Sequence, residues 1–204
     1  MGGTNGGDPA VEGRVVAAAT RLYAARGSSV RLDEVAEAAG ISRAALDHAF
    51  PSEAVLREAI NECVMRIAAG ILGGEPARDE QGFDDLAEQV TQLVREHPDE
   101  VRYVARAAID GEPDGLAMFD AFMAIALASF QGMAENEVLD RGLDVEWAAL
   151  HVVVFNMATV LFQRAIDQHL LDPLSTDAGI ERWHDADTEL FRRGFLRRDL
   201  PASA

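Results

Sequence analysis

Apolar residues recur at three- and four-residue intervals along most of the chain, the period of one helix face, and no stretch alternates as a strand would. The spacing predicts a first helix over residues 11–26, with Val11, Val15, Ala18, Ala19 and Leu22 on one side and Gly27 at its end. A second helix keeps Leu32, Val35, Ala36 and Ala39 on one face and stops at Gly40, a residue that leaves a helix left-handed without a Cβ clash. Ile41-Ser42 then offers an apolar residue and a hydroxyl N-cap for a third, short helix, and Ile41 and Leu46 have the spacing of a hydrophobic staple. That helix turns Leu46, Ala49 and Phe50 inward and leaves Arg43, Ala44, Asp47 and His48 facing out. Together the second and third helices read as a helix-turn-helix.

Pro51-Ser52 opens a long helix to about residue 72, with Leu56, Ile60, Cys63, Ile67 and Ile71 in register, and GGEPARDEQG reads as a polar linker. Beyond it, Phe83, Leu86, Val90 and Leu93 mark one helix and Val101, Val104, Ala105 and Ala108 another, with His97-Pro98 and the DGEPDG segment as breaks. Phe119, Phe122, Met123, Ala126, Phe130 and Met133 form a further stripe. Residues 145–171 are apolar almost all round, and residues 177–195 are amphipathic through Ile180, Trp183, Leu190 and Phe191. The architecture expected is all-α with about nine helices: a disordered tail over residues 1–10, a helix-turn-helix head over 11–55 and a larger helical body over 56–204.

Composition adds limits. With 49% apolar residues the chain has enough hydrophobic material for a globular core. Its one cysteine, Cys63, can form neither an internal disulfide nor a zinc site and is expected as a buried thiol. Residues 1–10 are glycine-rich and polar, unlike a secretory signal, so a cytoplasmic location is expected. The longest uncharged run, residues 147–163, falls short of the roughly 20 residues of a membrane helix, and no membrane partner is expected.

Net charge is −17, but residues 1–60 hold six arginines against eight carboxylates, so most of the negative charge belongs to the body. At cellular salt the screening length is roughly 8 Å, and local charges decide what the head can meet. A helix-turn-helix places its second helix in the major groove. Arg14, Arg26, Arg31 and Arg43 are candidates for phosphate contacts and Arg43 or His48 for base edges, against the alternative that some are solvated surface residues.

For the body, Phe119, Phe122, Met123, Phe130, Trp147, His151, Phe155, Asn156 and Met157 combine apolar, aromatic and polar groups as the lining of a small-molecule site does, the alternative being plain core. His151 and Asn156 are the sharper candidates, since buried polar groups need partners. An all-round apolar helix over 145–171 has more hydrophobic surface than one subunit needs, so part of it is expected to meet a second chain, with Trp183 and Phe191 nearby. Glu181 and His184 give one E-x-x-H pair without the second that a di-metal site would need, and read as a solvated face. With no H-E-x-x-H, G-x-S-x-G or phosphate loop, neither catalysis nor a metal or cofactor is expected.

Residues 14–60, with Ala18, Leu22, Gly27, Val35-Ala36, Ala39-Gly40-Ile41-Ser42, Leu46, Phe50 and Leu56, resemble the TetR family of bacterial transcriptional regulators. The resemblance implies a homodimer joined by the last two long helices of each subunit, two heads on double-stranded palindromic operator DNA, and a body whose small apolar ligand releases the operator. The DNA-contact set expected here is Arg14, Arg31, Ser42, Arg43, Ala44, Ala45 and His48, and the ligand set expected from the residues of the body is Phe119, Phe122, Met123, Trp147, His151, Phe155 and Asn156. The chain departs from the family pattern at Asp47 and Glu53, where tyrosine and lysine are common, at Arg31, where threonine is common, and at Ala44-Ala45, where glycine-threonine is common. Two carboxylates beside the phosphates weaken binding and its salt dependence. The expected function is a ligand-responsive repressor; the alternative is a sensor or protein-interaction module of the same fold with weakened or lost DNA binding.

Overall fold

A computed structural model describes residues 8–197. Among the described residues the secondary structure is α-helical apart from a 3-10 turn over Gly27–Ser29 and one isolated antiparallel bridge between Leu139 and Leu196. The helices are α1 Pro9–Arg26, α2 Leu32–Ala39, α3 Arg43–Ala49, α4 Glu53–Leu72, α5 Glu80–Glu96, α6 Pro98–Ile109, α7 Pro113–Glu135, α8 Val145–Leu161, α9 Gln163–Ile166 and α10 Asp177–Phe195. The count is ten rather than nine because the long apolar segment 145–171 is not one helix. It breaks at Phe162, resumes for one turn as α9, and runs out into a loop in which the Asp167 carboxylate accepts from the Leu174 backbone N–H at 2.7 Å. Burying Leu174 at the foot of α10 requires the chain to turn back there.

Residues 1–7 of the expected disordered tail lie outside the described residues, and Pro9 and Ala10 are already helical. Asp8 caps α1 by accepting from the Ala10 N–H at 3.0 Å, and Pro9 suits the first helical position because its missing N–H would have had no partner.

The three N-terminal helices close around Val15, Tyr23, Val35, Leu46 and Leu56, each at most 1% exposed. Gly40, with φ +69°, makes the turn between α2 and α3, and Ser42 caps α3 by accepting from the Ala45 N–H at 3.2 Å. Along α4 the buried ridge is Leu56, Ile60, Val64, Ala68 and Leu72. Cys63, Ile67 and Ile71 are only half-buried, so the thiol expected inside is partly open. A strict four-residue ridge drifts around a helix, and α4 uses that drift to pass from α1 to α5 and α7.

In the body, α7 packs between α6 and α8, and α10 lies on α5. By length and composition alone α7 would suffice to cross a membrane; here Met118, Ala126, Phe130 and Met133 are buried against the neighbouring helices. Phe130 meets Phe195 edge-on at 5.6 Å between ring centroids, tying α7 to α10. On α10, Leu190 is 56% exposed rather than buried, whereas Phe191 stacks on Phe195.

The head joins the body through α1 on α6 and through the start of α4 on the α6–α7 turn. Arg57 lies over the Tyr23 ring at 4.5 Å, donates to Glu53 at 3.2 Å and pairs with Glu112. Asn61 donates to Asp114 at 3.0 Å and accepts from the Tyr103 hydroxyl at 2.8 Å. Burial pushes the Tyr103 phenol up to about 12, so it stays a neutral donor. Gly27, with φ +59°, turns the chain at the end of α1 in a conformation that side chains with a Cβ rarely adopt, close to the Asp110 carboxylate at the end of α6.

Candidate DNA-binding surface and ligand recess

The outer face of α3 is open: Ser42, Arg43, Ala44, Ala45, Asp47 and His48 are all exposed, while Leu46 is fully buried. A seven-residue helix capped at its start and anchored by one leucine leaves the rest of its surface, apart from half-buried Ala49, open to solvent. Ala44 and Ala45 keep that face low, so a flat surface can approach the backbone closely.

The charges on this face pair with one another. Arg43 donates from Nε to Asp47 and from a terminal nitrogen to Asp33, each at 2.8 Å, and Arg31 donates to Asp33 at 3.0 Å. The hydrogen bonds that Arg43 donates to Asp47 and Asp33 raise its pKa, and those that Asp33 accepts from Arg43 and Arg31 lower its own. Arg26 forms a bidentate pair with Glu34 at 2.8 and 2.6 Å, and Glu34 also accepts from the Arg31 backbone N–H at 2.9 Å. Of the other expected residues, Arg14 stands exposed on α1 and His48 exposed at the end of α3. Glu53 is drawn sideways: the Tyr23 hydroxyl donates to it at 3.2 Å, as does Arg57.

The sequence-derived ligand set separates. Asn156, 9% exposed, lies between two recesses in the body and donates to the Val152 carbonyl at 2.7 Å. Phe122 lines the second, apolar recess with Leu86, Val90 and Met157. Phe119 borders instead an open apolar groove of about 710 Å³ between α6, α7 and α8, and half-buried Met123 lines neither recess. Trp147, His151 and Phe155 stand on the exposed side of α8, Trp147 57% and Phe155 45% exposed. Trp147 and His151 have ring centroids 5.5 Å apart, and Phe155 meets Phe191 edge-on at 5.7 Å.

The other recess, between α5, α7, α8 and α10, draws on residues that helical periodicity does not group: Phe83, Thr91, Trp183, His184, Asp187 and Phe191. His184 is not on a solvated face. Its Nδ1 lies 2.7 Å from the Thr91 hydroxyl and its Nε2 3.8 Å from Glu88, while Glu181 three residues earlier is exposed. The available signal was Asp187 itself, which follows Ile180 and Trp183 and precedes Phe191 at helical intervals, a carboxylate inside an apolar stripe.

Residues 15–60 match the family model described as bacterial regulatory proteins, tetR family. No curated protein matches the chain. Among solved structures it is similar to the ketosteroid transcriptional regulator KstR2 of Mycobacterium tuberculosis, with a TM-score of 0.69, 15% identity, and coverage of 95% of this chain and 98% of that one. It is similar also to the TetR family protein CprB from S. coelicolor, with a TM-score of 0.69, 22% identity, and coverage of 94% and 91%. SmeT, the repressor of a Stenotrophomonas maltophilia multidrug efflux pump, gives a TM-score of 0.66, 14% identity, and coverage of 94% of each chain. At these identities the structures establish the fold of the whole described chain, and the match over residues 15–60 establishes the kind of head it carries. The family match thus covers the N-terminal helices, and over the rest of the described chain it is the fold that is shared with these regulators.

Proposed function

We propose that this protein is a ligand-responsive transcriptional repressor that binds palindromic operator DNA as a homodimer. The observation that carries the reading is the exposed, N-capped α3 with Arg43, Ala44, Ala45 and His48 on its open face, held by a domain of the tetR family. Residues 11–55 act as the DNA-binding head and residues 56–204 as the ligand-binding and dimerising body. Arg14 and Arg31 approach phosphates, Ser42 fixes the start of the reading helix, and Arg43 and His48 reach base edges. The exposed apolar side of α8, with Trp147, Val154 and Phe155, supports pairing with a second copy through α8 and α10. Ligand in the body shifts the α6–α7 turn, and the Arg57–Glu112 pair carries that shift to α4 and the head. Selection of source-genome fragments by the purified protein at low salt tests the reading. Retention of a fragment carrying an inverted repeat supports it, and retention of none at any salt ends it.

The paired charges on α3 favour a second reading, a module of this fold with weakened DNA affinity. Arg43 must leave Asp33 and Asp47 before it meets a phosphate or base, and counterion release cannot repay what those carboxylates already supply. Asp47→Tyr separates the two readings. If Asp47 suppresses binding, the variant gains at least about ten-fold in fragment affinity, the size of one lost charge-assisted contact, and a steeper salt slope. If affinity and slope stay unchanged, Asp47 is not the brake.

A further inference from the structure

The recess bounded by α5, α7, α8 and α10 is walled by Phe83, Phe130, Val152 and Phe191, and it shares Leu86, Val90, Val152 and Asn156 with the apolar recess beside it. Two polar groups in its wall have no partner. The Trp183 indole Nε1 is buried without an acceptor. Asp187 is 9% exposed and has neither hydrogen bond nor ion pair among the described residues. The cations that might have served it are committed elsewhere: Arg192, little more than one turn along α10, pairs with Asp84 and Glu80, and His184 is engaged by Thr91 and faces Glu88.

Buried polar groups are normally satisfied within the fold, and an unsatisfied one marks a place where something else supplies the partner. The chemistry of that partner follows from the two groups. An ionised carboxylate only accepts and an indole N–H only donates, so the missing molecule brings a donor to Asp187 and an acceptor to Trp183. Charge-assisted bonds are the stronger kind, and a low-dielectric aromatic recess with one unpaired negative charge selects a cation over a neutral donor. We propose that this recess binds a small amphipathic base, its protonated nitrogen on the Asp187 carboxylate, an oxygen acceptor at the Trp183 indole N–H and its apolar body among Phe83, Phe130 and Phe191. The inference rests on the reading of the body as a ligand receptor and narrows the ligand to organic cations.

Three probes with one body and different heads test it: phenoxypropylamine, phenoxypropanol and phenoxypropionate. They are titrated above neutral pH into the full chain carrying Trp147→Phe, so that Trp183 alone reports by fluorescence. The amine is expected to saturate at least about ten-fold more tightly than the alcohol, the worth of one charge-assisted bond, and the carboxylate not to saturate. Asp187→Asn is expected to remove the preference for the amine while retaining the alcohol, whose binding shows that the recess is intact. Equal affinity for the three heads overturns the proposal, and that ranking needs no variant of Asp187; so does an unchanged preference in Asp187→Asn. The amine is then added to the chain bound to selected DNA. Amine bound without release of DNA defeats the ligand-responsive reading and leaves the ligand class standing, whereas DNA binding with no amine binding defeats the ligand class alone.

Discussion

Asp187 weakens the fold while it serves the recess. Burial pushes its carboxyl up to about 6, against an ordinary value near 3.8. In the folded chain it holds its proton to higher pH than in the unfolded chain, so its contribution to stability falls as pH rises from about 4 to about 6 and stays low above that. Two units correspond to at most about 3 kcal/mol. Asp187→Asn is therefore expected to raise stability above neutrality by up to that amount and to flatten the pH dependence between 4 and 6, as read from urea midpoints at several pH values. An unchanged midpoint at neutral pH would mean that the carboxylate finds a partner in solution. At the same scale, Arg43 was legible in the sequence as an outward residue, and its double pairing was not. Asp47, four residues on, was visible as a helical neighbour, but Asp33 reaches Arg43 from α2 only because Gly40 folds the two helices together.

Among elements, α3 is the one whose existence depends most on a single side chain. Seven residues cannot hold a helix by propensity alone, and Leu46 is its only fully buried anchor. Leu46→Ala is expected to cost about 2–5 kcal/mol, a loss typical of a buried leucine, and to lower the thermal midpoint accordingly. Ser42→Ala removes only the cap and is expected to cost about 1 kcal/mol. Helix bounds were legible where the ends carried their own punctuation, α2 with Gly40, α3 with Ser42, and α10 from Asp177 to Phe195, although on α10 the faces of His184 and Leu190 were not. They were not where packing decides. In α4 the apolar residues offer two overlapping ridges, and the neighbours buried Val64 and Ala68 rather than Cys63 and Ile67. In segment 145–171 nothing in the residues near Phe162 requires a break, which comes from the return of the chain to α10.

For the whole molecule, the junction of head and body is polar and specific. Burial lowers the Arg57 pKa, and the carboxylates of Glu112 and Glu53 more than restore it, so the guanidinium stays charged. Arg57→Ala leaves Glu112 without its cation and is expected to cost about 1–3 kcal/mol. Amide exchange should localise that loss to residues 15–60 and the α6–α7 turn; uniform loss of protection would mean that head and body unfold as one unit. Pairing of two copies is tested at the opposite end. Phe155→Glu places a charge on the exposed side of α8, where Phe155 is 45% open, so a subunit tolerates it but a dimer contact does not. Sedimentation equilibrium is expected to show monomer for the variant and dimer for the parent, and dimer in both would move the interface elsewhere.

By itself the sequence determined the all-helical class, the helix-turn-helix with its cap and staple, and the outward set on α3, because these depend on residues within one or two turns of each other. The tertiary structure alone decided which charges cancel on that face, which side of α8 is covered, and that Trp183, His184 and Asp187 share a recess with Phe83 and Thr91. The last of these joins Thr91 and His184 across 93 positions of the chain, and helical periodicity carries no information about which helix will lie opposite.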